Sequence, residues 1–292
     1  MAATDAEQDP LDLEALTGNR LGPYLSHNPV SPVQIWQWCS AMGDGNPLYR
    51  DQEYRLRAGL THPVAPPAMM QMWTMRDVNM AYAPGSTGEP PYRVFDALAE
   101  HGFDSNVAVS YDISFHRLLE EGDRPRHYTT IVDISTLKET AIGSGYFVTE
   151  RAEFLDQREK PFAEALITYF QYAAREGTGD AEMPPPRPLD LPQQRWASDY
   201  HDLGYRQLKV GDVLPELVIP ITHKLIVSGA AATQDFIDVH HNAPAARAAG
   251  MPDIFMNILT TCGLCARYLG DWAGPVSYTH LRAHETNDLI AY

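Results

Sequence analysis

Cysteine, positive charge and long apolar runs are all scarce in this sequence of 292 residues. Three cysteines are too few for a disulfide framework and fit a reducing compartment. Lysine and arginine number 22 against 38 acidic residues, so nonspecific nucleic-acid binding, which depends on neutralising phosphates, is disfavoured. No apolar run approaches the ~18 residues of a transmembrane helix, and the acidic N-terminus lacks the apolar core of a signal peptide. We therefore expect a soluble cytoplasmic protein that binds neither nucleic acid nor membrane.

The composition is that of a folded protein, with 44% hydrophobic and 10% aromatic residues. We expect residues 1–20 to form a flexible acidic tail. Residues 176–195 are rich in proline and glycine, which prevent regular structure, and they indicate a linker. The folded halves are then 21–175 and 196–275.

A short run occurs twice, as GDGNPLY from position 43 and as QDFIDVHH from position 234. The aspartates Asp44 and Asp235 stand 191 positions apart, and in the same register Tyr49 corresponds to His240. The second copy thus carries an Asp and a His five positions apart, a candidate acid/base pair. Tyrosine, with a pKa near 10, is a poor base at neutral pH. We expect Asp44 to pin its turn rather than to react.

The sequence pattern of the first half predicts an α+β fold. Ser31-Pro32 is a helix start, for a helix that continues to about Met42. A second helix, apolar on nearly every face and therefore buried, is predicted from Ala65 through Met75. Alternating apolar and polar residues predict strands at Val107–Phe115, Tyr128–Leu137, Gly145–Leu155 and Phe162–Tyr172. Together they suggest an antiparallel sheet wrapped around one helix.

The second half begins in the same way but has less sequence left for a sheet. A short strand is predicted at Leu217–Ile219, a helix at Val227–Gln234 and a buried helix at Asp253–Leu269. The residues that follow show little alternation, so we expect this domain to be incomplete. The run SYTHLRAHET resembles translated sequencing-adapter text, and 276–292 is interpreted as a non-native tail.

The motif GDGNPLY, the later APP before a methionine-rich segment, and the strand set resemble the N-terminal domain of MaoC-like dehydratases. The stretches ATQDFIDVHHNAPAARAAGMPDIFMNIL and GLCARYLGDWAGP resemble a MaoC-like subunit of bacterial steroid side-chain degradation. The resemblance covers about 22–275. It implies a tandem hot-dog fold, each antiparallel sheet wrapping a long central helix, with the second hot-dog truncated. It also implies hydration of a trans-2-enoyl-CoA thioester with a bulky, steroid-like acyl group to the 3-hydroxyacyl-CoA.

The resemblance also implies roles for individual residues. Asp235 and His240 would bind and activate one water, because the family's catalytic Asp and His stand five apart. A backbone N–H near Asn257, at the start of the buried helix, would donate to the thioester oxygen. The family's Asn-Pro is replaced by Ile237-Asp238, so the loop is expected to be supported differently. No cofactor is expected beyond the CoA of the substrate, and no metal.

Four apolar residues are candidates for the acyl pocket: Met69, Met70, Trp73 and Phe255. Methionine is an adaptable side chain that suits an irregular pocket, but ordinary core packing explains any single one as well. We expect the inactive half to make room for the acyl group.

Several alternatives remain open from the sequence alone. Cys262 and Cys265 match a CxxC pattern but lie inside an apolar helix, where neither redox chemistry nor zinc binding is favoured. A metal could be imagined on the cluster Asp235, Asp238, His240 and His241. Without the repeat, Asp235 and His240 would be interpreted as a capped loop with a hydrogen-bonded histidine.

Two other functions remain open, a non-catalytic acyl-CoA-binding subunit and a hot-dog thioesterase. The expected partner is another hot-dog subunit, in a homo- or hetero-oligomer.

Overall fold

The computed structural model describes residues 11–174, 203–249, 251–274 and 280–284. The predicted linker 176–195 and most of the predicted tail 276–292 lie outside these residues. The strands are β1 (Arg20–Leu25), β2 (Ser105–Phe115), β3 (Arg126–Ile134), β4 (Lys138–Glu139), β5 (Gly143–Leu155), β6 (Pro161–Ala174) and β7 (His280–His284). They form one antiparallel sheet in the order β1-β3-β5-β6-β2-β7, with β4 paired to β5.

The predicted strands are confirmed in β2, β5 and β6, where the alternation of apolar and polar residues is clear. The predicted strand Tyr128–Leu137 is shorter, because β3 ends at Ile134 and β4 begins at Lys138. The edge strand β1 has no such signal in the sequence. Its Gly22-Pro23 pair interrupts the alternation, and proline is tolerated at a sheet edge because it has no N–H to give to a second neighbour.

The segment predicted as a flexible tail is folded in its described part. Leu11, Leu13 and Leu16 pack against a small apolar cluster made by Val94, Leu98, Ile131 and Val148. The acidic residues of this segment favoured a flexible tail, but its three leucines allow it to pack against the fold. Residues 1–10 lie outside the described chain.

The helices are α1 (Pro32–Met42), α2 (Pro47–Arg50), α3 (Gln52–Arg57), α4 (Arg93–Glu100), α5 (His223–Ala232), α6 (Ala243–Ala248) and α7 (Ile258–Ala273). The predicted helices that became α1 and α5 are confirmed. The predicted strand Leu217–Ile219 is wrong, since these residues belong to no strand. No helix among the described residues is long and apolar enough to cross a membrane.

The internal repeat holds in three dimensions. Helices α1 and α5 begin 191 positions apart, and each is capped by a hydroxyl side chain, Ser31 in one copy and Thr222 in the other. Each helix is followed by a residue in the left-handed region, Gly43 at φ 64° and Gln234 at φ 57°. Helices α3 and α6 also begin at the same offset. The two copies therefore share one local fold through the loops that carry Asp44 and Asp235.

The structural correspondence between the two copies ends at the segment predicted as a buried helix. In the second copy α7 begins at Ile258, whereas the corresponding residues of the first copy form only two 3-10 turns, Pro67–Met69 and Met72–Thr74. The helix predicted from Ala65 through Met75 is therefore wrong, although the segment is buried as expected. An apolar run without a period does not specify an α-helix. The Asp77 side chain, which accepts the N–H groups of Asn79 and Ala81, also favours a local turn over helix.

Helix α7, with 16 residues, is the longest helix in the described part of the chain. It starts five residues later than the predicted Asp253, because Asn257 caps it and the preceding residues form a loop. It packs against the turn Pro67–Met69 and against α1 and α5. Its apolar side chains share the main core with the concave face of the first-half sheet; the shared residues include Met69, Met70, Trp73, Tyr111, Ile113, Phe154, Leu259, Cys262 and Leu264. One core thus unites both halves.

Candidate active site

Asp235 lies in the loop that follows α5, and the local fold fixes its position. The Thr233 hydroxyl donates to the Gly229 carbonyl oxygen at 2.9 Å, which closes the last turn of α5. Gln234 then adopts its left-handed conformation, and the Asp235 N–H donates to the Ala230 carbonyl at 3.0 Å. The Asp235 side chain is consequently buried, with 7% of the residue exposed.

Asn257 holds the Asp235 carboxylate. Its side-chain oxygen caps α7 by accepting the Thr260 N–H at 2.8 Å. Its side-chain nitrogen donates to Asp235 Oδ2 at 2.9 Å and to Thr233 Oγ1 at 2.8 Å. One amide therefore joins the end of α5, the carboxylate and the start of α7. The sequence signalled a helix start here, but the reach of this amide to Asp235 depends on the folded chain and was missed.

His240 is buried beside Asp235 in a defined tautomer. Its Nδ1 lies 2.8 Å from the Phe255 carbonyl oxygen. Because a carbonyl only accepts, Nδ1 carries the hydrogen, and Nε2 of the neutral ring is left as an acceptor. His240 Nε2 lies 3.5 Å from Asp235 Oδ2. The Phe255 ring packs edge-on against the imidazole, with the ring centres 4.9 Å apart.

The pair presents two acceptors that suit one water molecule. Asp235 Oδ1 is buried and has no hydrogen-bond partner among the described residues. His240 Nε2 is the second acceptor. A water has two O–H donors, so one water can donate to both groups at once and be oriented as a nucleophile. The structure thus brings together the two side chains that the Asp–His spacing singled out.

The first copy uses the same loop differently. Asp44 Oδ1 accepts the Asn46 N–H at 2.9 Å, and the Asn46 side chain caps α2 through the Leu48 N–H at 2.9 Å. Asp44 thus pins its turn, as predicted. Burial raises the pKa of Asp44 above its ordinary value, and the neighbouring Asp271 raises it further. Tyr49, buried, stands where the other copy has its histidine.

Arg267, near the C-terminal end of α7, is hydrogen-bonded to the loop of the first copy. Its Nη1 donates to the Met42 carbonyl oxygen at 2.6 Å, and its Nε contacts Asp271 Oδ2 at 3.3 Å. A Cβ on Gly43 would come within 2.6 Å of Arg267 Nη1. Glycine at position 43 adopts the left-handed φ without strain and leaves room for this approach. Helix α7 therefore contacts the Asp235 loop at one end and the Asp44 loop at the other.

Of the four predicted pocket residues, only Phe255 is placed beside the pair. It is 36% exposed, so it lies where the site meets solvent. Met69, Met70 and Trp73 belong to the main core on the first-half side of α7. Neither the small cleft beside Met70 nor the open groove lined by Leu217, Ile219, Leu264, Cys265 and Tyr268 includes Asp235 or His240.

The arrangement gives no support to the metal and redox alternatives. Among the described residues no group of three or more His, Cys, Asp or Glu is placed to hold a metal ion. His241 turns away from the pair and lies 3.8 Å from Asp238 on the surface. Cys262 is buried and Cys265 exposed on α7, and both are free thiols.

Comparisons with known proteins show which families the chain is similar to. The model of the "FAS1-like, dehydratase domain region" family matches residues 15–165. The chain is 38% identical over 147 residues to a Thermomonospora curvata protein named "Probable enoyl-CoA hydratase alpha subunit", covering 50% of this chain and 46% of that protein. It is 58% identical over 66 residues to the "3-oxo-4,17-pregnadiene-20-carboxyl-CoA hydratase beta subunit" of Mycobacterium tuberculosis, covering 23% of this chain and 51% of that one.

A solved structure named "MaoC-like dehydratase" superposes with a TM-score of 0.67 at 21% identity, covering 94% of this chain and 83% of that one. This likeness confirms the hot-dog fold. The chain spans about half the length of the curated relatives it matches. Through residues 15–165, the chain belongs to the FAS1-like dehydratase family, and its fold is that of the MaoC-like dehydratases.

Proposed function

We propose that this chain hydrates a trans-2-enoyl-CoA thioester to the 3-hydroxyacyl-CoA. The observation that carries the proposal is the buried pair of acceptors, Asp235 Oδ1 and His240 Nε2, at the start of α7. The names of the relatives, enoyl-CoA hydratase and pregnadiene-carboxyl-CoA hydratase subunits, support the same reaction class.

In the proposed mechanism the pair orients one water and takes one of its protons. His240 Nε2 accepts this proton, while the carboxylate of Asp235 holds the second O–H and stabilises the imidazolium that forms. The water oxygen bonds to C3 of the enoyl group, and the electron pair of the double bond moves toward the thioester carbonyl. The proton is then returned to C2, so that the elements of one water are added and the pair is regenerated.

The start of α7 is the proposed site for the enolate charge. The first N–H groups of a helix have no intrahelical acceptor, and the helix dipole places partial positive charge there. Helix α7 has 16 residues and its cap, Asn257, directly contacts the catalytic carboxylate. We propose the backbone N–H groups at Asn257 and the first turn as donors to the thioester oxygen. The reaction then requires no cofactor beyond the CoA of the substrate.

We propose a bulky polycyclic acyl group as the substrate class. The beta-subunit relative is named for a pregnadiene acyl group, which is rigid and carries a 3-oxo oxygen. In this chain the first copy has two short turns where the second has α7. A segment of 3-10 turns bearing Met69 and Met70 is easier to displace than a regular helix. We therefore assign the large acyl group to the first half.

A hot-dog partner subunit is part of the proposal. The relatives are named alpha and beta subunits. Among the described residues the second copy itself contributes no strand to the sheet, since β7 lies in the segment interpreted as a non-native tail, and α7 leaves the open groove around Leu264 and Tyr268. The same observation favours one alternative, in which this chain binds the acyl-CoA and a partner completes catalysis.

Loss of enoyl-thioester absorbance tests the proposal, measured on the full chain alone and with a candidate hot-dog subunit added. We expect hydration by the wild type, and its loss in Asp235→Asn and His240→Ala. His241→Ala is the matched control, because His241 lies on the same turn and faces solvent. Turnover unchanged by Asp235→Asn and His240→Ala would contradict the mechanism. Turnover only with the partner, insensitive to Asp235, would support the binding-subunit alternative. Release of free CoA thiol would indicate a thioesterase.

A further inference from the structure

The concave face of the first-half sheet contains a polar belt that the proposed reaction does not use. Glu150 of β5 lies next to Ile131 of β3 and Ile167 of β6 in the sheet register, at the middle of this face. Along β5 it is flanked by Val148, which belongs to the small apolar cluster, and by Ala152, which belongs to the main core. A carboxyl group therefore separates two apolar clusters.

The Glu150 carboxyl is buried, and one of its two oxygens lacks a partner. The residue is 4% exposed. Its Oε1 accepts a hydrogen bond from the Thr129 hydroxyl, and the Tyr169 hydroxyl on β6 is a further hydrogen-bond donor to the carboxyl. Its Oε2 is buried without a hydrogen-bond partner among the described residues. Because buried polar groups in native proteins are nearly always paired, an unpaired one of this kind points to a missing partner.

A second unpaired polar group lies on the segment that covers this face. Trp73 is 3% exposed, and its indole Nε1, which can only donate, has no hydrogen-bond partner in the described part of the chain. Its turn, Met72–Thr74, packs against β3, the strand that carries Thr129. An acceptor oxygen between these elements would satisfy a donor that the protein leaves unsatisfied.

The belt is connected to the reactive pair by packing. Helix α7 starts at Asn257 beside Asp235, and α7 packs against the turn Pro67–Met69, which continues into the turn of Trp73. An acyl group that begins at the pair and follows α7 toward these turns would have its far end on the side of the belt.

We propose that Glu150, together with Trp73, recognises an oxygen substituent at the end of the acyl group remote from the thioester. The ligand class is a ketone or hydroxyl on a large apolar skeleton. Burial raises the pKa of Glu150, which favours a protonated carboxyl able to donate to a ketone as well as to accept from a hydroxyl. This inference rests on the proposed function, and it assigns the inactive half a specific part in choosing the substrate.

The test compares two saturated, unreactive CoA thioesters by calorimetry with the full chain. One carries a 3-oxo steroid acyl group, and the other has a methylene in place of the 3-oxo group. We expect the wild type to bind the 3-oxo ester about five- to tenfold more tightly, the effect of one or two buried neutral hydrogen bonds. Glu150→Leu should abolish this preference and leave binding of the methylene ester unchanged.

Two further variants serve as controls. Glu150→Gln retains a hydrogen-bond donor and an acceptor and should keep most of the preference for the 3-oxo ester. Its binding therefore tests the subsite even if Glu150→Leu does not fold. Glu164→Leu is the matched control, because Glu164 is an exposed glutamate on the neighbouring strand β6. It should leave both affinities unchanged.

The outcomes separate this inference from the function on which it rests. Equal binding of the two esters by the wild type, or an equal loss of both in Glu150→Leu and Glu150→Gln, would overturn the inference and leave hydration standing. Binding of neither ester would count against the proposed function itself. A preference removed by Glu150→Leu and kept by Glu150→Gln would support the subsite.

Discussion

The loops at Asp44 and Asp235 have the same local fold but hold their carboxylates in different ways. In the first loop the carboxylate accepts a backbone N–H from its own turn, and its neighbour Asn46 caps the following short helix. In the second, the position of Asn46 is taken by Ile237, and the carboxylate is held from a distance by Asn257. Support from outside the loop leaves one oxygen of Asp235 available beside a histidine, which is the condition for activating water.

The comparison also explains why the first copy persists. Its loop binds Arg267 at the end of α7 opposite to the catalytic pair. The unreactive copy therefore anchors the helix whose start holds Asp235. The same copy has lost its own central helix, which is replaced by 3-10 turns. The half that has tyrosine in place of the histidine is therefore also the half that has no long helix at this place.

The largest expected effect comes from His240. His240→Ala should lower the hydration rate by about 10²- to 10⁴-fold, because it removes the proton acceptor from the pair. Tyr49→Phe, at the corresponding place of the first copy, should change the rate by less than about threefold. Rates measured with the same enoyl-CoA compare the two positions. Similar losses in both variants would show that the copies do not differ in their role.

Asn257 gives the next largest effect, and two substitutions separate its two tasks. Asn257→Ala should lower the hydration rate by about tenfold and the free energy of unfolding by about 1 kcal/mol, since a helix cap is lost. Asn257→Ser keeps a cap but has no amide to donate to Asp235. It should recover most of the stability and little of the rate. Urea unfolding and rate measurements check this, and a rate restored by serine would contradict the positioning role.

A smaller effect concerns the pH dependence of stability at Asp44. Burial raises the folded pKa above the unfolded value of about 3.9. The folded state then holds its proton more tightly, so this contribution to stability is full below about pH 4 and is lost as the pH rises through the folded pKa. Asp44→Asn cannot titrate, so its stability does not decrease in this way as the pH rises. The difference in the free energy of unfolding between Asp44→Asn and the wild type should therefore increase from pH 4 to pH 7. A difference that does not change with pH would contradict the raised pKa of Asp44.

The smallest expected effect is that of rebuilding the missing histidine. Tyr49→His restores the Asp–His spacing in the first copy, but Asp44 there is already engaged by the Asn46 N–H and lies near Arg267. We expect no gain in hydration rate when this change is made in the His240→Ala background. Recovery of even a few per cent of wild-type activity would show that spacing alone suffices.

Much of this comparison could be read from the sequence, and the rest depended on contacts between distant segments. Period-two alternation predicted β2, β5 and β6, and the repeat predicted where the pair would lie. The helix at Ala65–Met75 was predicted wrongly because an apolar run has no period that separates α-helix from 3-10 turns. The reach of Asn257 to Asp235 spans 22 positions and that of Arg267 to Met42 spans 225. No local pattern encodes such distances.

The most direct test is the hydration rate of Asp235→Asn measured beside that of Asp44→Asn, in the same full chain, with the same substrate and with any partner subunit that the wild type requires. The two substitutions are chemically identical and fall at corresponding positions of one repeat. We predict a loss of at least about a hundredfold for Asp235→Asn and a rate within about threefold of wild type for Asp44→Asn. Equal rates in the two variants, or a larger loss for Asp44→Asn, would contradict the assignment of chemistry to the second copy.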